Sequence, residues 1–220
     1  MSNRRKALKG LVSSLALAGG LVGTAACAQA ADPQTLLLAL KKGGLVVFMR
    51  HGETGPAYAD RPQAVIGDCA TQRNLTPEGR TQNDNMAKAI KALQVPFGKV
   101  LASDFCRSWQ TAQALVGPAG YTVTNTLTVP LSYPSVSPAD TALSNTHLVA
   151  LLRDKPAPGS NTLLVSHGIN VLLATGYHPD VQGEMVLFRP DGKGQYTRIG
   201  TLLPADWLRL AASAGKAAGS

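Results

Sequence analysis

The chain has 220 residues, of which 45% are hydrophobic and 15% charged, and it carries a formal net charge of +8 at pH 7. This composition supports a full-sized hydrophobic core and excludes a chain that is mostly disordered or coiled coil. The length allows one domain once the N-terminal segment is set aside.

The first thirty residues are predicted to be a cleaved signal peptide. A basic segment at 4–9 precedes a short apolar stretch at 11–23, and Ala28-Gln29-Ala30 fits a small-x-small cleavage site. The apolar stretch is shorter than the ~20 residues that a membrane-spanning helix needs, so no stable membrane anchor is expected. We therefore predict a signal peptide at 1–30, a mature domain at 31–220 and a periplasmic or secreted product.

Two features leave the export route open. Residues 4–9 resemble a twin-arginine motif, and Cys27 could belong to a lipoprotein cleavage site, although Thr24 stands where Leu is usual. Cleavage after Ala30 is preferred. It removes four cations and no acids, so the net charge falls to +4. The total charge therefore gives no argument for a nucleic-acid partner, and none is expected.

Helix and strand patterns alternate along the mature chain, which predicts an α/β fold with a largely parallel sheet. The tail beyond Leu210 consists of small residues and is expected to be frayed. The predicted elements, in chain order, are helix 33–41, strand 45–50, helix 76–93, strand 99–102, helix 105–116, strand 121–129, helix 139–153, strand 162–166, helix 169–175 and a hairpin of strands 184–189 and 196–203.

Polar residues follow three of these strands at their carboxyl ends. Arg50 and His51 follow the first strand, Ser103 and Arg107 follow the second, and His167 follows the fourth. The carboxyl ends of parallel strands form the ligand edge of an α/β sheet. Arginine forks, imidazoles and a helix N-terminus at one edge suit a phosphate.

The same segments resemble three motifs of the histidine phosphatase superfamily. Residues 50–54 resemble its RHG motif, residues 103–112 its S-x-x-x-R-x-x-Q-T-A segment, and residues 165–168 its second-histidine motif. The motifs occur in the family's order, and the resemblance covers most of residues 44–190. It implies a phosphoglycerate-mutase-like fold, a three-layer α/β/α sandwich with a largely parallel central sheet.

The resemblance also implies a mechanism. Unprotonated His51 attacks phosphorus and becomes a phosphohistidine, while Arg50, Arg107 and His167 hold the phosphoryl oxygens. The expected function is an exported phosphatase that acts on a small phosphomonoester or a phosphorylated envelope sugar, with no metal or other cofactor. A catalytically silent phosphate-ligand-binding protein of the same fold is the alternative, and the oligomeric state stays open.

The proton donor to the leaving group is the least defined part of this interpretation. Residues 113–139, where mutase-like relatives carry a catalytic Glu, contain no Asp or Glu, and Ala57 stands where an Asn is usual. A phosphosugar mutase is therefore less favoured. Glu184 is the preferred donor because of its place after the second histidine, and Asp68 and Glu53 are the alternatives.

A loop at 68–75 resembles one in smaller exported members of the superfamily. By that resemblance Gln72, Arg73 and Asn74 are expected to contact the phosphate or the groups around it, and Gly52 and Ser103 are also predicted to bind substrate. The resemblance places Cys69 and Cys106 near the pocket. Export would allow them to form a disulfide, but the sequence does not decide whether they pair.

Overall fold

The computed structural model describes residues 31–55, residue 60, and residues 64–128 and 138–218. The predicted signal peptide lies outside the described residues.

The described residues form a six-stranded sheet. The strands are β1 (Val46–Arg50), β2 (Phe97–Ser103), β3 (Thr122–Thr124), β4 (Asn161–Ser166), β5 (Met185–Pro190) and β6 (Tyr196–Leu202). Their order in the sheet is β3-β2-β4-β1-β5-β6. The first four strands in this order are parallel, and β5 and β6 form an antiparallel hairpin at one edge. The α-helices are α1 (Pro33–Lys42), α2 (Pro77–Ala92), α3 (Cys106–Val116), α4 (Pro138–Arg153), α5 (Gly168–Thr175) and α6 (Pro204–Ala218), with 3₁₀ turns at Cys69–Thr71 and Asn125–Leu127.

The two central strands are apolar on both faces, which is why helices cover both sides of the sheet. Val47 and Met49 of β1 face a cluster built with α1, α2, α3 and α6. Val46 and Phe48 point to the other side, against α4 and α5. The prediction of a three-layer α/β/α sandwich with a largely parallel sheet is confirmed.

Strand pairing brings the polar strand ends together. Arg50 at the end of β1 lies opposite Ser166 at the end of β4. The His51 N–H then donates to the Ser166 carbonyl at 2.9 Å. On the far side of β4, β2 runs parallel and ends at Ser103. The carboxyl ends of β2, β4 and β1 are therefore adjacent, as the sequence predicts.

The predicted strand at 121–129 is wrong in length, because only Thr122–Thr124 pairs with β2. The Thr124 hydroxyl accepts a hydrogen bond from the Thr126 N–H at 3.2 Å. This local bond offers the backbone an alternative to the sheet ladder. The chain accordingly turns into the 3₁₀ segment Asn125–Leu127.

The predicted frayed tail is also wrong, because α6 continues to Ala218. The Asp206 carboxylate accepts from the Leu203 N–H at 2.8 Å and so caps the start of the helix. Trp207 is fully buried and packs in the cluster with α2, which anchors the first turn. The small residues that follow are mostly alanine, which favours helix rather than fraying.

Candidate active site

Two histidines meet at the carboxyl edge of the sheet. The ring centroids of His51 and His167 are 5.4 Å apart, in an edge-to-face arrangement. His51 follows β1, and His167 is the N-cap residue of α5 directly after β4. Both side chains are buried, with exposed fractions of 2% and 4%. Two adjacent parallel strands with a histidine after each one create this pair.

A backbone carbonyl fixes the tautomer of His51. Its Nδ1 lies 2.8 Å from the Gly52 carbonyl oxygen. Since a carbonyl can only accept, Nδ1 carries the hydrogen and Nε2 of the neutral ring keeps its lone pair. This is the state in which an imidazole is a nucleophile.

His167 is held on both ring nitrogens. The Arg107 Nη2 donates to Nδ1 at 3.3 Å, so this nitrogen is the acceptor. Nε2 lies 3.1 Å from the Ser103 hydroxyl and therefore carries the hydrogen in the neutral ring. The Phe105 ring packs edge-on against the imidazole, with 5.0 Å between centroids. Ser103, predicted to bind substrate, orients His167 in this arrangement.

The surroundings lower the pKa of both histidines. Burial is the largest cause for each, and the nearby Arg107 cation is the second. The positive charges of Arg73 and Arg50 lower both values further. Both imidazoles are therefore neutral at pH 7, in a pocket whose charge comes from arginines.

Arg107 is buried in the first turn of α3 and forms a bidentate ion pair with Asp60. Its Nη1 and Nη2 donate to the two Asp60 carboxylate oxygens at 2.8 and 2.9 Å. Nη1 also donates to the Arg73 carbonyl at 3.3 Å, and the guanidinium carbon lies 4.6 Å from the centre of the Phe105 ring. Burial lowers the pKa of Arg107, and Asp60 acts in the opposite direction.

Asp60 was not singled out from the sequence. It lies in a long loop without periodicity, 47 positions before Arg107, and no local pattern links the two residues. Phe105 was not singled out for a different reason, because an apolar residue inside a polar motif is usually interpreted as part of the hydrophobic core.

Arg50 reaches sideways from the end of β1. Its Nη1 donates to the carbonyls of Pro179 and Asp180 at 2.8 and 2.9 Å. Its aliphatic part lies beside Gly168, at the start of α5. Arg50 therefore connects β1 with the segment that follows α5.

Glu184 is buried, but its carboxylate has other partners. It accepts from the Tyr177 hydroxyl at 2.6 Å and from the Val181 N–H at 3.4 Å. Burial, followed by this carboxylate, raises the pKa of Tyr177 to about 12. None of the hydrogen bonds that Glu184 makes with the described residues reaches His51 or His167. This geometry does not favour Glu184 as the proton donor.

The two alternative donors are exposed. The Asp68 carboxylate accepts from the Ala70 N–H at 3.1 Å and so caps the 3₁₀ turn. Glu53 points to solvent, while its backbone carbonyl accepts from the Thr76 N–H at 3.1 Å. Both positions are explained by local structure.

The loop at 72–74 lies against the start of α3. Both polar atoms of the Gln72 amide bind protein groups, since Oε1 accepts from the Cys106 N–H and Nε2 donates to Val65, each at 2.8 Å. The Asn74 Nδ2 donates to the Cys69 carbonyl at 2.6 Å. Arg73 is the member of this loop whose charge acts on both histidines.

A disulfide joins Cys69 to Cys106, a pairing that the sequence left open. Cys106 is the first residue of α3 and directly precedes Arg107. The bond therefore ties the loop to the helix turn that carries the buried arginine.

Gly52 is required by close packing rather than by a turn. A Cβ at this position would lie 2.4 Å from the Asn83 Oδ1. The Gly52 N–H donates to the Thr111 hydroxyl at 3.0 Å, and the Asn83 Nδ2 donates to the same oxygen at 3.2 Å. That hydroxyl in turn donates to the Arg107 carbonyl at 2.7 Å. Through these hydrogen bonds, Thr111 and Asn83 hold Gly52 against the first turn of α3. Neither role was predicted from the sequence.

The described part of the chain holds no group of three or more His, Cys, Asp or Glu side chains placed to bind a metal ion. Within the same residues, no helix is long and apolar enough to cross a membrane.

A family model of the histidine phosphatase superfamily (branch 1) matches residues 46–127, which include the RHG and S-x-x-x-R-x-x-Q-T-A segments. A curated relative, the mitochondrial serine/threonine-protein phosphatase Pgam5 of Drosophila grimshawi, is 29% identical over 90 residues. The match covers 41% of this chain but only 28% of that relative.

Solved structures share the fold over most of the described chain. The protein histidine phosphatase SixA, complexed with tungstate, has a TM-score of 0.51 at 23% identity, covering 74% of this chain and 98% of its own. Residues 46–127 thus match the sequence pattern of the histidine phosphatase superfamily, and the described chain has the same fold as this structure. Phosphoserine phosphatase from Entamoeba histolytica, in complex with 3-phosphoglyceric acid, has a TM-score of 0.52 at 16% identity, with 74% and 99% of the two chains covered. At these identities the likeness concerns the histidine phosphatase fold alone.

Proposed function

We propose that the mature chain is an exported phosphatase that hydrolyses phosphomonoesters through a phosphohistidine on His51. The observation that carries the proposal is the state of His51, a buried and neutral imidazole. Because its Nδ1 is bound to the Gly52 carbonyl, its Nε2 lone pair is available for attack. A second neutral imidazole, His167, and Arg107 lie beside it. The superfamily motifs of the first half of the domain support it.

The first step forms a bond between the His51 Nε2 and phosphorus as the bond from phosphorus to the leaving oxygen breaks. Arg50, Arg73 and Arg107 supply positive charge around the two imidazoles. Preorganised cations of this kind stabilise the charge that the transferring phosphoryl group carries in its transition state. His167 becomes a further donor to the equatorial oxygens when the phosphate replaces Ser103 as the acceptor of its Nε2 hydrogen.

The second step is attack of water on the phosphohistidine, which releases inorganic phosphate and restores His51. Neither step requires a metal or another cofactor. Splitting the reaction in two replaces one difficult hydrolysis by two displacements at the same prearranged nucleophile.

The proposed substrate is a small phosphomonoester or a phosphorylated envelope sugar. Similar structures range from a protein histidine phosphatase to a phosphoserine phosphatase, so the shared fold does not select a leaving group. Export to the periplasm or outside the cell is supported by the signal-peptide pattern in residues 1–30 and by the Cys69–Cys106 disulfide, a bond that persists in oxidising compartments.

A screen over phosphomonoesters tests the proposal. Purified mature protein is incubated with aryl, sugar, amino-acid and protein phosphates, and inorganic phosphate is measured. We expect release from at least one class, and a loss of at least ~10³-fold in His51→Ala, since removing a nucleophile costs orders of magnitude. His147→Ala, in a partly buried histidine of α4, is the matched control and should keep its activity.

The same assay separates the alternatives. A protein that binds phosphate by calorimetry but hydrolyses no member of the panel would favour the silent phosphate-ligand-binding protein. Transfer of the phosphoryl group between hydroxyls of one substrate would favour a mutase.

A further inference from the structure

The proposed reaction needs a proton donor, because the alkoxide of an ordinary alcohol is a poor leaving group. This inference rests on the proposed function and concerns the same pocket. Glu184, Asp68 and Glu53 are not linked to the two imidazoles by any hydrogen bond with the described residues, so none of the three is favoured as the donor.

Asp60 is the carboxylate that the structure places in the pocket. Its two oxygens accept from the Arg107 guanidinium at 2.8 and 2.9 Å, and Oδ1 also accepts from the Arg73 N–H at 2.9 Å. The Arg107 Nη2 that binds Asp60 lies 3.3 Å from the His167 Nδ1. One guanidinium nitrogen therefore joins Asp60 to the histidine pair.

Two other acidic groups lie near the sheet edge. The Asp104 carboxylate accepts from the Thr128 hydroxyl at 2.6 Å and from the Ser103 hydroxyl at 3.4 Å, and Glu184 accepts from Tyr177 at 2.6 Å. Neither carboxylate is bound, among the hydrogen bonds of the described residues, to an arginine that a phosphate could bind in its place. The Asp60 side chain is shielded from water, with an exposed fraction of 12%. A shielded carboxyl group can transfer a proton to a substrate rather than exchange it with solvent.

We propose that Asp60 is the catalytic residue that protonates the leaving oxygen of the phosphomonoester.

The ion pair explains how a carboxylate could acquire the proton. A carboxylate and a phosphate bind the same bidentate N–H pair of an arginine, so the substrate takes the Arg107 fork from Asp60. The displaced carboxylate then faces an anion instead of a cation. A like charge nearby favours the protonated form of a carboxyl group, so Asp60 takes the proton of the phosphate monoanion that binds.

The proton balance then closes over the two steps. When the bond from phosphorus to the leaving oxygen breaks, the Asp60 carboxyl gives its proton to that oxygen and the alcohol departs. The Asp60 carboxylate next accepts a proton from the water that attacks the phosphohistidine. Inorganic phosphate leaves with the proton that Asp60 holds, which restores His51 and the Asp60–Arg107 pair.

The test compares leaving groups in Asp60→Asn, which keeps the shape and a hydrogen-bond acceptor for Arg107. For an alkyl phosphate such as glycerol phosphate we expect kcat/KM to fall by about 10²- to 10⁴-fold, the usual contribution of a general acid. For p-nitrophenyl phosphate, whose leaving group needs little protonation, the fall should stay under ~10-fold. Asp60→Glu keeps an acid and should recover part of the alkyl-phosphate activity.

Two competing donors serve as controls in the same assay. Glu184→Gln and Asp68→Asn should keep the wild-type ratio between the two substrates, and a leaving-group effect in either variant would overturn the assignment. An equal loss on both substrates in Asp60→Asn, with an unchanged melting temperature, would reduce Asp60 to a residue that positions Arg107. A gain on both would make it a competitor for the phosphate site.

The wild-type protein separates this inference from the proposed function. If it hydrolyses neither substrate nor any other member of the panel, the phosphatase proposal itself fails. If it is active and only the leaving-group effect is missing, the assignment of Asp60 alone is overturned.

Discussion

His51 is neutral and oriented before any substrate binds. Burial and three arginines disfavour its protonated form, and the Gly52 carbonyl holds the hydrogen on Nδ1. An isolated histidine in water would be partly protonated near its ordinary pKa of about 6.5 and free to rotate. Both features favour the proposed attack of His51 on phosphorus.

The positive charges near the two imidazoles disfavour their protonated form and leave their neutral form unaffected. Arg107 is itself buried, and its charge is balanced by Asp60. A buried cation without such a partner costs several kcal/mol, so Asp60 offsets the cost of burying Arg107. In the proposed mechanism, Asp60 is also the group that a bound phosphate displaces from Arg107.

Thr111→Val should destabilise the protein by about 1–3 kcal/mol, because the Gly52 N–H and the Asn83 amide lose their buried acceptor. Activity should also fall, since Gly52 orients His51, the proposed nucleophile. Urea unfolding and kcat/KM for p-nitrophenyl phosphate measure the two effects.

Thr146→Val is the matched control for this change. Thr146 makes the same type of bond to the carbonyl four residues earlier, Ala142 at 2.8 Å, but on an exposed helix face. Its effect should stay within about 0.5 kcal/mol. Equal destabilisation by the two substitutions would remove Thr111 from the support of the pocket.

The lowered pKa values of His51 and His167 predict a stability that falls with acid. Both groups bind protons in the unfolded chain near pH 6.5 but resist protonation in the folded one. The stabilisation that the two neutral histidines contribute is therefore complete above about pH 6.5. The unfolding free energy declines as the pH falls below this value, by up to about 1.4 kcal/mol per pH unit for each group.

Urea titrations at pH 7.5, 6.5 and 5.5 measure this slope. The double variant His51→Asn/His167→Asn should lose most of it in this range. An unchanged slope in the double variant would show that other groups cause the pH dependence.

At the scale of elements, the disulfide and the 3₁₀ turn hold the start of α3 in place. Cys69 lies in the turn and Cys106 opens the helix, while Gln72 binds the Cys106 N–H from the same loop. Loop and helix thus form one unit around Arg107. The predicted role of this loop as a phosphate-binding segment stays a prediction, with Arg73 as its charged member.

The double variant Cys69→Ala/Cys106→Ala should lower the unfolding free energy by about 2–4 kcal/mol, since the bond closes a loop of 37 positions. Release of the loop should also weaken phosphate binding through Arg107 and Arg73. Thermal unfolding and calorimetry with inorganic phosphate measure the two effects.

Reduction of the wild-type protein provides the control. Dithiothreitol should lower the melting temperature of the wild type toward that of the double variant and leave the variant unchanged. A wild-type protein whose stability and phosphate affinity are both insensitive to reduction would contradict the bracing role.

Secondary structure followed from the sequence wherever a local pattern decided it. The buried run of β1 and the Thr76-Pro77 start of α2 are local signals, and the structure has both elements. The start of α6 was missed because its decisive feature is tertiary, the burial of Trp207 against other helices. The end of β3 depends on a hydroxyl bond of Thr124 that competes with the sheet.

At the scale of the whole molecule, the site follows from strand order. Parallel pairing of β1 with β4 and of β4 with β2 aligns three carboxyl ends, and each carries a polar residue at the turn into the next segment. Helices on both faces bury the sheet and leave this edge as the place where polar groups gather. The three motifs, far apart in sequence, therefore converge.

Convergence of His51, Arg107 and His167 was predictable because each ends a strand or begins a helix within a motif. Asp60 was not, since its place depends on the path of a long loop rather than on any periodic pattern. The preferred donor Glu184 shows the opposite case. Its place in the chain after the second histidine favoured a role in the pocket, but its carboxylate accepts a hydrogen bond from Tyr177 instead.

Direct detection of the phosphoenzyme tests the central claim. The mature protein is mixed with ³²P-labelled substrate, quenched within milliseconds in alkaline denaturant, digested and sequenced by mass spectrometry. We predict an acid-labile, base-stable phosphoryl group on the peptide that contains His51, and none in His51→Asn. Full hydrolytic activity in His51→Asn, or a phosphoryl group on a different residue of the wild type, would contradict the account.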